Sequence, residues 1–181
     1  MKENGRKNKG GADGSPSFTV SDAIVARLTS WGIRRIYGFP GDGINGVLGA
    51  LRRSSGRIEF VQVAHEELAG MAACAHAKFT GELGVCLSTG GPGFIHMLNG
   101  MYDAKLDHMP LRAIVGQQAM TGIGGSEQQE VDLLPLAKDV ASSYVEMLAT
   151  PLDQDTAAPA IREQMRRKEI GSSDGEEDSR A

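Results

Sequence analysis

Along the middle of the chain, apolar positions alternate between helical and strand-like spacing. Val20, Ala23, Ile24, Ala26, Leu28 and Trp31 recur three and four residues apart behind the capping residues Ser17 and Thr19, and Gly32 stands where a helix would stop. This spacing predicts a first helix over 20–31. Continuing in the same way, the pattern predicts strands over 33–39, 58–64, 84–88, 111–116 and 143–148. Between them it predicts helices over 44–53, 65–79, 94–106 and 131–140. Strands alternating this regularly with helices imply an α/β fold, a parallel sheet with helices on both faces. In such sheets ligands bind in the loops beyond the carboxyl ends of the strands. Three segments fall at those ends: "GFPGDG" from Gly38, "AHEE" from Ala64 and "STGGPG" from Ser88.

The two ends of the chain break the pattern. Residues 1–17 are polar, glycine-rich and mildly basic, which reads as a disordered lead-in. From residue 149 apolar positions thin out and the last stretch is acidic and serine-rich, so residues 149–181 read as a poorly ordered tail. A short helix over 160–170 is the only element expected there. That leaves one packed domain over 18–148 in a chain of 181 residues.

Charge and cysteine content narrow the function classes. A net charge of −4 argues against a chain built to coat nucleic acid or an anionic membrane. No apolar run approaches the length of a membrane span, and the N-terminus lacks the apolar core of a signal peptide. Cys74 and Cys86 lie in apolar surroundings without C-x-x-C spacing, so they read as buried thiols in a reduced, cytoplasmic compartment.

The first loop carries Gly41-x-Gly43-x-x-Gly46, the spacing of a dinucleotide-binding turn, with Glu66 twenty residues beyond Gly46. Asp42 speaks against that reading, because it puts a carboxylate where pyrophosphate would sit. Pro40 removes an amide donor just before the turn. A helix also precedes the supposed first strand, and the second glycine loop has no role in a dinucleotide site.

All three segments are accounted for by a resemblance. The runs "WGIRRIYGFPGDGINGVLGAL", "VAHEELAGMAACAHAKFTGELGVCLSTGGPGFIHMLNGMYDAKLDHMPLRAIVGQ" and "QQEVDLLPLAKDV" resemble the N-terminal, pyrimidine-binding domain of thiamine diphosphate-dependent enzymes of the acetolactate synthase and pyruvate oxidase group. The resemblance implies a thiamine diphosphate-binding fold. Glu66 would be the catalytic carboxylate that shares a proton with N1′ of the cofactor's aminopyrimidine, and an apolar surrounding would help it keep that proton. Pro40, Gly41, Gly91, Pro92, Gly93 and Asn99 would border the cofactor. Phe39, Asp42, Gln117 and Gln129 would face a small 2-oxo acid such as pyruvate. Gln128 stands where relatives often carry an aromatic residue, which departs from the family's substrate pocket. His65 reads as a residue that shapes the helix start. Glu66 has a simpler reading too, as a carboxylate that favours a helix N-terminus beside Glu67.

The family's magnesium ion is bound by a diphosphate-binding domain absent from this chain, and FAD occurs in some full-length relatives. A glycine–aspartate–glycine triplet also opens a thiamine diphosphate and magnesium motif, but positions 65–75 offer no asparagine ligand, so no metal ligand set is read here. The resemblance further implies a homo-oligomer and predicts unburied apolar side chains at Phe94, Ile95, Met97, Leu98 and Met101, ready for a partner. The expected final helix–strand unit of the fold has no match beyond residue 151. Three functions follow: half of a 2-oxo acid decarboxylase or carboligase site, a separate pyrimidine-domain subunit of a two-chain decarboxylase, or a non-catalytic interaction remnant.

Overall fold

The computed structural model describes residues 18–119 and 122–141. Five helices and four strands alternate within them: α1 (Val20–Ser30), β1 (Arg35–Gly38), α2 (Asn45–Arg53), β2 (Glu59–Gln62), α3 (Glu66–Thr80), β3 (Gly84–Ser88), α4 (Pro92–Leu106), β4 (Leu111–Val115) and α5 (Leu133–Val140). A single 3-10 turn, Asp42–Ile44, leads into α2. The strands form one sheet in the order β2-β1-β3-β4, with every pairing parallel. The α/β class expected from the alternation is the one observed.

Burial explains why β3 lies at the centre. All five of its residues are buried, and they alternate between faces. Val85 and Leu87 join Val25, Leu28, Ile36, Val47 and Leu51, under α1 and α2. Cys86 joins Ala69, Ala73, Phe94, Met97 and Val140, under α3, α4 and α5. The sheet is therefore covered on both sides. Ile36, Leu87 and Met97 are fully enclosed, and each such side chain contributes about 1.5–3 kcal/mol relative to exposure.

Local chemistry sets the helix ends. Thr19 Oγ1 accepts from the Asp22 amide at 3.2 Å while the Asp22 carboxylate accepts from the Thr19 amide at 3.0 Å, a reciprocal cap for α1. Asp22 also receives Arg53 of α2 at 2.6 Å. The Thr19 hydroxyl first, and Arg53 with it, holds this carboxyl below the usual carboxylate range. His65 caps α3, its Nδ1 accepting from the Glu67 amide at 3.3 Å. Pro92 opens α4 from its first turn, two residues earlier than the apolar spacing predicts, because proline's fixed φ suits that position.

Helices α3 and α4 lie side by side, running in the same direction. His96 meets Glu66, Asn99 meets Glu67 and Asp103 meets Lys78. Between these polar contacts the backbones touch: a Cβ on Gly100 would stand 2.1 Å from the Gly70 carbonyl carbon. The predicted apolar stripe on α4 is corrected in part. Phe94, Met97 and Met101 are buried against α3 and α5, so they are core, whereas Ile95 is 45% exposed.

Both cysteines are free and buried. Burial pushes the Cys86 thiol up to about 12. Burial first, then the neighbouring Asp103 carboxylate, pushes Cys74 up to about 11. Both therefore stay protonated near neutral pH and are poor nucleophiles. Among the described residues no helix is long and apolar enough to cross a membrane. The expected lead-in, the strand over 143–148 and the tail helix lie outside the described residues.

Candidate functional site

Parallel strands put all their carboxyl ends at one edge of the sheet. In the order β2-β1-β3-β4, the chain leaves β1 toward one face and β3 toward the other, which makes the gap between them the switch point where α/β sheets accept ligands. The loops after β1 and β3 meet there. A Cβ on Gly41 would lie 2.8 Å from Thr89 Cβ, and one on Gly43 would lie 2.7 Å from Thr89 Oγ1. The loop after β4 closes on both: a Cβ on Gly116 would lie 2.8 Å from the Gly43 oxygen, and one on Gly90 2.6 Å from the Gly116 oxygen. Side chains at these glycines would push the three loops apart.

Gly91 carries a stricter demand. Its φ of +59° lies in the left-handed region, and a Cβ there would stand 2.1 Å from the Gln129 oxygen. Gln129, itself at a φ of +66°, is thus set against the second glycine loop by its backbone. Gly46 does not belong to an open turn: a Cβ there would meet Ser21 Oγ of α1 at 2.7 Å. The dinucleotide spacing in this loop is therefore used for helix packing and loop contact.

Glu66 enters from the end of β2. It is the first residue of α3, and among the described residues it is the only charged side chain that is buried, at 8% exposure. One oxygen, Oε2, lies 3.1 Å from His96 Nδ1 and 3.8 Å from His65 Nε2. The other, Oε1, lies 3.5 Å from the point where a Cβ on Gly93 would be. A side chain at Gly93 would crowd that oxygen and would also meet Thr89 Cγ2 at 3.0 Å. Burying a carboxylate is costly unless it is partnered, and here the His96 ring at 3.1 Å and the positive end of α3 bear on it.

The predicted residues divide clearly. Glu66, Gly91 and Gly93 are buried near the second glycine loop, while Pro92 is exposed at the start of α4. Gly41 belongs to the first loop, with Phe39 and Pro40 half-buried beside it and Asp42 exposed. Asn99 does not face Glu66: its Nδ2 donates to Glu67 Oε1 at 2.5 Å on the outer side of α3. Gln117 is half-buried after β4, and its side-chain oxygen accepts from the Gln118 amide at 3.2 Å. Three residues of the site escaped the sequence reading: Thr89, Gly116 and His96. For His96 a signal existed, since His96, Asn99 and Asp103 form a polar stripe at three- and four-residue spacing along α4.

Comparison with known families matches residues 18–136 to "Thiamine pyrophosphate enzyme, N-terminal TPP binding domain". The chain is 41% identical over 145 residues to the pyruvate oxidase of Lactiplantibacillus plantarum, covering 80% of this chain and 23% of the relative. It is 40% identical over 114 residues to the acetolactate synthase isozyme 2 large subunit of Escherichia coli, covering 63% of this chain and 20% of the relative. An acetolactate synthase of Mycobacterium avium is 34% identical over 129 residues, 69% of this chain and 21% of its own. The chain spans about a quarter of the length of the curated relatives it matches. With its parallel sheet, its glycine-cradled switch point and a family match over two thirds of its length, the chain belongs to the thiamine pyrophosphate enzymes, of which it carries the N-terminal TPP binding domain.

Proposed function

We propose that the chain binds the aminopyrimidine half of thiamine diphosphate at the switch point, as one half of a site for a small 2-oxo acid such as pyruvate. The buried Glu66 carboxylate beneath the bare Gly93 carries this reading. A flat heteroaromatic ring needs close backbone approach and a partner for its ring nitrogen; Gly93 offers the first and Glu66 the second. When bound, the cofactor supplies a nucleophilic carbon, C2, for addition to a 2-oxo acid carbonyl.

The chain's own residues divide the remaining tasks. Glu66 holds a proton between Oε1 and the ring nitrogen N1′. Close packing at the glycines 41, 43 and 116, with Thr89, holds the loops after β1, β3 and β4 together at the switch point. Phe39 and Pro40 border the reacting side from the first loop, with Gln117 and Gln129 nearby for the substrate. Magnesium and the diphosphate belong to a diphosphate-binding domain or subunit that pairs with this one. The buried, protonated thiols support a reducing, cytoplasmic setting.

The close approach at Gly93 is tested by blocking it. Gly93→Ala is expected to weaken thiamine diphosphate binding about tenfold or more, measured by calorimetry with the chain paired with a diphosphate-binding domain and magnesium. Overpacking of about 1–3 kcal/mol corresponds to that loss. An unchanged affinity in a variant with the wild-type melting temperature would overturn the placement of the ring.

A further inference from the structure

The geometry points to a second ligand class at this edge of the domain: a borderline divalent transition metal, with Zn2+ as its probe, held by His65, Glu66 and His96. One ligand atom from each of these three residues lies within 4.8 Å of the others. Glu66 Oε2 is the common point, at 3.1 Å from His96 Nδ1 and 3.8 Å from His65 Nε2. Zinc bonds of about 2.0–2.1 Å in a tetrahedron place ligand atoms about 3.3–3.4 Å apart. The two observed separations bracket that edge, and imidazole with carboxylate is a donor set that zinc accepts.

Exposure and charge favour closure around an ion. The carboxylate is fixed, with its side chain 11% exposed, whereas the side chains of His65 and His96 are 47% and 43% exposed. Their rings already face each other, with centroids 4.5 Å apart and planes 31° apart. Both rings are half-exposed, so turning toward Oε2 does not disturb the core. Two terms oppose binding. The start of α3 disfavours a cation, which Glu66 and Glu67 in the first turn offset. His65 Nδ1 accepts from the Glu67 amide, so the neutral ring carries its proton on Nε2. Ligation through Nε2 moves that proton to Nδ1 and gives up a hydrogen bond of 3.3 Å, a small loss beside a metal–nitrogen bond.

A metal ion on Oε2 draws charge from the carboxylate whose Oε1 is assigned to the cofactor, so zinc would weaken the proton sharing with the pyrimidine. That consequence rests on the function proposed above, but metal binding itself does not. The test uses the full, untagged chain without cofactor: calorimetric titration with zinc chloride at about pH 7.5, where an ordinary imidazole is neutral. Wild type is compared with His96→Gln, Glu66→Gln and His76→Asn. His76 is the control because its Nε2 lies 3.3 Å from Glu82, a histidine–carboxylate pair away from the site. One zinc per chain is expected, weakened about tenfold or more by His96→Gln and by Glu66→Gln, and unchanged by His76→Asn. Circular dichroism verifies folding, and if Glu66→Gln misfolds, the half-exposed His96→Gln decides alone. No binding, equal affinity in wild type and His96→Gln, or a loss that follows His76 would overturn the site. None of these results would touch the cofactor reading.

Discussion

Replacing Glu66 with Gln is expected to slow proton exchange at thiamine C2 about a hundredfold or more, while Glu67→Gln leaves it within about threefold. The measurement is hydrogen–deuterium exchange in the chain paired with a diphosphate-binding domain. Glutamine can still hydrogen-bond a ring nitrogen, but it cannot pass a proton back and forth. The neighbouring carboxylate is a fair control because it sits about 100° around the helix, and its Oε1 is held outward by Asn99 Nδ2. Equal slowing by both substitutions would return Glu66 to the role of a helix-start carboxylate.

The largest effect on stability is expected at the helix crossing. Gly100→Leu places a side chain where even a Cβ would come within 2.1 Å of the Gly70 carbonyl carbon and 2.3 Å of the Met71 nitrogen. The obstacles are backbone atoms of α3 at its contact with α4, so relief requires the two helices to separate. That separation would expose part of the core formed by Ala69, Ala73, Met97 and Met101. A loss of about 3 kcal/mol or more follows, seen as an early midpoint in urea unfolding. Gly49→Ala in α2 is the contrast. There the nearest atom is Arg53 Nη1 at 3.2 Å, the far end of a flexible side chain. The usual helix preference for alanine should make that variant as stable as wild type or slightly more so. Equal losses at the two positions would contradict the crossing.

Much of this arrangement was legible before the structure. The run "GVCLS" between glycine-marked turns is β3 at its predicted ends, and the glycine loops after β1 and β3 pack on each other, joined by the loop after β4 that the sequence did not single out. What resisted reading was direction and distance in space. Apolar spacing on α4 showed a stripe but not its partner, so Phe94, Met97 and Met101 looked available for association until α3 and α5 covered them. His96 lies 30 residues from Glu66, and nothing in local periodicity joins the two. Asn99 donates to Glu67, 32 residues away, another contact that local spacing does not show. Strands β1 and β2 came out shorter than their apolar runs, because Ile33 and Ile58 fill the core from outside the hydrogen-bonded ladder.

The central claim is that Glu66 shares a proton with the cofactor's pyrimidine. Its most direct test is nitrogen-15 NMR of thiamine diphosphate labelled at N1′, bound to the chain paired with its diphosphate-binding domain. With wild-type protein the N1′ resonance should move toward the protonated range, and with Glu66→Gln it should stay at the position of the free, neutral pyrimidine. The same N1′ shift in both proteins, with both binding the cofactor, would contradict the account.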